Sequence, residues 1–85
     1  MDSRTDTAII DVAGDEISGR RITGSFRQFD KKQLTLAAPE EIRPSTPVFV
    51  HSRELIFLGE VHKCLAPIGG EYTIEIAVRQ AIARL

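Results

Sequence analysis

Cysteine is almost missing from this chain. Cys64 is the only one, so no disulfide can form within a copy and no cysteine-rich zinc site can assemble there. A single thiol fits a reducing cytosol. No apolar run approaches the ~18–20 residues that a membrane helix needs. The opening residues, MDSRTDTAII, are acidic and short of apolar side chains, unlike a secretory signal peptide. A glycine-rich phosphate loop is missing too, because Ile68-Gly69-Gly70 lacks the strand–glycine–helix setting that such a loop requires.

What remains is an ordinary globular composition, 42% apolar and 27% charged over 85 residues, enough for one domain. Residues 1–6 read as an N-terminal tail and 7–85 as the domain. Typical per-residue stability gives such a chain about 4–12 kcal/mol, which leaves little slack for unpaired buried groups. The net charge is −1 but unevenly spread. Between Arg20 and Lys32 five basic residues stand against one acid, and elsewhere six face eleven. Such segregation suits a local anion-binding face on an acidic body, and equally a solvated strand and hairpin turn.

The dominant pattern has period two, broken at short intervals by turn residues, which predicts an all-β domain. Strands are expected over Thr7–Ala13, Glu16–Phe29, Gln33–Ala38, Val48–Ser52, Leu55–Leu65 and Glu71–Val78. The second changes phase between Ile17 and Ile22, and a bend near Gly19 would absorb the difference. Asp30–Lys32 and Pro67–Gly70 read as hairpin turns. Pro39–Pro47 reads as an irregular connection, since proline cannot serve in a central ladder. The tail RQAIARL predicts a short C-terminal helix, because Val78, Ile82 and Leu85 fall at i, i+4 and i+7 among helix formers. Six short strands of this spacing point to a small closed or half-closed antiparallel barrel.

In ITGSF, QLTLAAPEEI, PSTPVFV, LGEV and GGEYTIEIAV, from about Ile22 to Ile82, the chain resembles the PilZ family. That resemblance implies a six-stranded antiparallel β-barrel, often with a C-terminal helix, a bacterial signalling role and, in many members, binding of cyclic di-GMP. The family's ligand signature is not matched. No RxxxR occurs, since Arg20 and Arg21 are adjacent and Gly24 and Ser25 stand where a second arginine would fall. At the place of D/NxSxxG the chain reads Gln28-Phe29-Asp30-Lys31-Lys32-Gln33. A clamp of two forked guanidinium groups is therefore incomplete.

Candidate sites follow from side-chain chemistry. His62 and Cys64 stand two apart, so on a regular strand they share a face. Zinc wants three or four ligands at about 2.0–2.3 Å, and His51, expected opposite about Leu55, is too far along to join them, so no metal is expected. A nucleophilic pair fails as well, because i and i+2 side chains lie roughly 6.5–7 Å apart along a strand. No enzyme and no cofactor are expected. The best candidate is the second strand, where Arg21, Thr23, Ser25 and Arg27 project outward if Ile22, Gly24 and Phe26 face in. Arg20, Arg21 and Arg27 are the candidate binding residues.

The expected function is a non-catalytic, cytoplasmic adaptor or regulatory module that binds a protein partner. Self-association through a sheet edge or the helix fits the same reading. The alternative is a cyclic di-GMP receptor built on Arg20, Arg21 and Arg27. A third reading, an oligonucleotide-binding barrel, is disfavoured by the acidic chain and by the lack of an aromatic pair beside the basic stripe.

Overall fold

A computed structural model describes residues 7–13 and 20–83. Six strands follow one another: β1 (Thr7–Val12), β2 (Arg20–Asp30), β3 (Gln33–Ala38), β4 (Pro47–His51), β5 (Leu55–Ile68) and β6 (Glu71–Ala83). All pairings are antiparallel and the order β1-β2-β3-β6-β5-β4 closes on itself, β4 returning to β1 through Ile9↔His51 to Val12↔Val48. The expected bend near Gly19 lies outside the described residues.

Alternation builds the core. Ala8, Ile10 and Val12 of β1 point inward, as do Ile22, Leu34, Leu36, Val48, Val50, Phe57, Val61, Ile74, Ile76 and Val78 from the other strands. Among the described residues no polar or charged side chain is buried, so interior stability rests on apolar burial, about 1.5–3 kcal/mol for each large side chain. Ile42 leaves the proline-rich connection to plug the β3–β4 end of the barrel and is fully buried. At the opposite end Phe29 lies over Phe57, with ring centroids 4.9 Å apart.

The expected C-terminal helix is not there. β6 runs as strand to Ala83, and its last residues pair Leu55↔Ala83, Ile56↔Ile82 and Phe57↔Ala81. Helix propensity in RQAIA is a matter of tenths of a kcal/mol per residue. A helix of about seven residues is also too short to hold itself. Hydrogen bonding to the start of β5 outweighs both.

Bulges account for two further differences. On β2 the register shifts between Phe26 and Gln28, so Arg27 is the extra residue. On β5 it shifts between Val61 and Lys63, which turns His62 outward while Cys64, opposite Ile74, packs against the core. His62 and Cys64 therefore do not share a face, and the spacing that suggested a joint site dissolves.

Both two-residue hairpin turns have positive φ. Gly69 and Gly70 sit at 65° and 86°, and Lys31 and Lys32 at 52° and 67°. Glycine adopts this region freely, whereas a side chain there costs about 1–2 kcal/mol. Such turns favour Asn-Gly. Combining Lys31→Asn with Lys32→Gly is expected to stabilise the fold by about 1 kcal/mol, part of the relief being offset by greater unfolded-state freedom. In a domain of this size that raises the melting temperature by about 4–8 °C. A fall on calorimetry would mean that the lysines make contacts worth more than the strain.

Candidate functional site

Three strands bring one mixed-charge cluster together on the outside of the barrel. Asp11 pairs with Arg21 on β2 and with Phe49 on β4. Its neighbour two residues back, Ile9, pairs with His51. All four side chains flank Asp11 because inward Ile10 and Val12 force position 11 outward. The carboxylate is shared. Arg21 Nε donates to Oδ1 at 2.9 Å, and His51 Nε2 lies 3.0 Å from Oδ2.

Beside it Arg20 Nη1 donates to Glu40 Oε1 at 3.0 Å. Glu40 comes from the start of the proline-rich connection. Asp11, Val12, Ala13, Arg20, Arg21 and Phe49 line an open groove of about 430 Å³. Phe49 is 43% exposed although both its chain neighbours are fully buried. Its cross-strand partner on the other side is Leu58.

The candidate arginines thus divide. Arg20 and Arg21 share the groove. Arg27 sits at the β2 bulge, six residues and roughly 20 Å farther along the strand, where its Nη2 donates to Glu71 Oε1 at 3.3 Å. A single site made of all three is not formed. Each guanidinium already faces a carboxylate, so none waits as an unneutralised anion hook. His62 is exposed, and among the described residues no group of three histidine, cysteine or acidic side chains is placed to hold a metal ion.

Arg21's hydrogen bond holds the Asp11 carboxyl below its ordinary value of 3.8; burial opposes this and His51 adds to it. A lowered folded-state value stabilises the fold above the unfolded value and stops doing so as pH falls through the folded one. Asp11→Asn is therefore expected to cost about 0.5–1 kcal/mol at pH 7, since the Arg21 side of the pair is largely solvated. At about pH 2 the two proteins should be equally stable to urea. An equal gap at both pH values would exclude charge as the cause.

Asp11, Glu40 and Phe49 carry no motif, and nothing in spacing along the chain links them to Arg20 and Arg21. One signal was readable. Phe49 occupies the outward position between Val48 and Val50 in a strand that otherwise alternates, and an aromatic placed there invites a question about what covers it.

No helix among the described residues is long and apolar enough to cross a membrane. Comparison of the chain with family models, curated proteins and solved structures finds no match.

Proposed function

We propose that this chain is a non-catalytic, PilZ-like adaptor of the bacterial cytosol that docks a protein partner on the outer face of β2, β1, β4 and β5. The observation that carries the reading is Phe49, an exposed ring set between a groove edged by two arginines and the apolar side chains of Leu58 and Ile9. Aromatic and arginine side chains dominate binding energy at protein interfaces, with an apolar centre inside a polar rim. Arg20 with Glu40 and Arg21 with Asp11 form such a rim. A protein surface of mixed charge can exchange partners with these pairs. A phosphate would meet two guanidinium groups whose charge a carboxylate already offsets.

A photoreactive benzoylphenylalanine placed at position 49 in living cells is expected to give one discrete adduct, lost when Asp11→Lys is added. The same residue at exposed Lys63, on the far arm of β5, should give none. Indistinguishable adduct patterns from the two positions would sink the adaptor reading.

Cyclic di-GMP remains the second reading because Arg20 and Arg21 line one groove with an exposed aromatic ring. On the adaptor reading the melting midpoint does not move at ~100 µM cyclic di-GMP. A rise abolished by Arg21→Ala would replace the adaptor with a receptor.

A further inference from the structure

The barrel is closed through its middle, but β6 outruns its neighbour. β3 accompanies β6 only from Tyr72 to Ala77, and the last bond on that side runs from the Val78 N–H to the Lys32 carbonyl. Arg79 is the extra residue at a register shift, and Gln80–Ala83 continue regularly against Leu58–Leu55 of β5. On the side away from β5, no backbone group from Arg79 to Ala83 has a partner among the described residues. A row of free N–H and C=O groups is a template for another strand.

Natural edges are blunted by proline, lysine or bulges. The arm of β5 beyond Val61, without a β4-side partner among the described residues, has all three: Lys63, Pro67 and shifts on either side of Leu65. Between Gln80 and Ala83 there is none of them. The one charge at the start of the stretch, Arg79, is already matched by Glu60 at 3.1 Å.

We infer that Arg79–Ala83 is a self-association edge on which two copies pair their β6 ends antiparallel about Ala81. This register sets the small Ala81 opposite itself, Gln80 opposite Ile82, and Arg79 opposite Ala83, with no like charges facing. Ile82, 41% exposed, gains cover from the stem of the second copy's Gln80. Charge complementarity extends beyond the paired residues. Lys32 sits beside Val78, and Glu54 precedes the residue that pairs with Ala83. The register therefore brings the Asp30–Lys32 turn of each copy level with the Arg53–Glu54 turn of the other, and both turns hold charges of both signs. Other partners that add a strand would need no such match.

The edge is short, about 13–16 Å, and covers much less than the about 800 Å² per partner of a standard interface. The dimer is accordingly weak, with a dissociation constant on the order of 100 µM. The inference does not rest on the outer-face reading, and its test leaves position 49 untouched.

Sedimentation velocity on the full chain from ~10 µM to ~1 mM is expected to show a reversible monomer–dimer equilibrium. Ala81→Glu and Ala81→Lys place like charges across the twofold, so each alone should stay monomeric, while an equimolar mixture should recover the dimer. Thermal melts check that both variants fold. Should either fail to fold, amide exchange on the unaltered chain decides. The amides of Ala81 and Ala83, which point away from β5, should slow about fivefold at ~1 mM relative to dilute protein, as about 80% dimer requires. A chain monomeric throughout, single variants that dimerise normally, or exchange independent of concentration would overturn the inference.

Discussion

Gly59→Ala is expected to remove about 3 kcal/mol or more of the stability of the fold. Gly59 lies on β5 at a register shift, with Val48 across on β4 and Val78 across on β6. A methyl group built on it runs into the carbonyl oxygen of Ala77 and comes within 3.0 Å of the Ala77 carbonyl carbon and the Val78 Cα. These are backbone atoms of the neighbouring strand, so no side-chain rotation relieves the overlap. β6 has to move at Ala77–Val78, where it parts from β3 and begins to run with β5 alone. Overpacking a fitted interior commonly costs about 1–3 kcal/mol and more when backbone must shift. A loss of about 3 kcal/mol or greater is therefore expected, against a total of about 4–12 kcal/mol.

For a domain of this size that lowers the melting midpoint by roughly 12–24 °C. Gly69→Ala supplies the contrast. Nothing lies within 4 Å of a methyl group there, and only the positive φ of 65° opposes it, so its cost should be about 1 kcal/mol. Urea unfolding of both variants checks the ranking. If Gly59→Ala cost less than Gly69→Ala, the close approach of β5 and β6 would not be what requires glycine at position 59.

The residues that alternate most strictly were the ones the sequence made legible. Gln33–Ala38 is strand over the expected residues, with Leu34 and Leu36 inside, and Tyr72, Ile74, Ile76 and Val78 share the inner side of β6. A six-stranded barrel, closed or half-closed, also followed from strand count and spacing, and the structure closes it. The errors lie where pairing overrides local preference. RQAIA reads as helix by composition, yet it is strand because Leu55–Leu58 offers it hydrogen bonds. His62 and Cys64 read as neighbours on one face, but a bulge at His62 separates them, and a bulge leaves no trace in hydrophobic spacing. The bulge at Arg27 likewise interrupts the outward row begun by Arg21, Thr23 and Ser25.

The candidate site was half legible for a related reason. Arg20 and Arg21 were found because basic residues cluster along the chain. Their partners Glu40 and Asp11 are twenty and ten residues away; pairing of β1 with β2 sets Asp11 beside Arg21, and barrel closure through β1 and β4 adds Phe49 and His51. A charge excess counted along the chain, +4 from Arg20 to Lys32, says nothing about carboxylates that arrive from other strands. Three-dimensional neutralisation turns an apparent anion site into the mixed-charge rim of a groove.

Phe57→Ala should match Gly59→Ala in size for the opposite reason, since it empties space. Phe57 is the largest fully buried side chain among the described residues, 1% exposed, and it lies at the end of the barrel where Phe29 packs. Phe29 rests on it with centroids 4.9 Å apart and planes tilted 58°, and Phe26 lies 6.5 Å away. Truncating a buried phenylalanine costs about 3–5 kcal/mol, through lost burial and the cavity left behind. Phe29 is already 39% exposed, so removing its support also exposes more of its ring. The two losses should therefore not add. In a double-mutant cycle of Phe29→Ala and Phe57→Ala the coupling is expected at about 0.5–1.5 kcal/mol, the range for an aromatic pair beyond area burial. Phe57→Leu keeps much of the volume and should cost well under half as much as alanine. Denaturant unfolding of the four proteins of the cycle measures all of this. Additive losses would mean that Phe29 holds its place through the β2–β3 turn alone, and that Phe57 rather than the pair closes this end of the barrel.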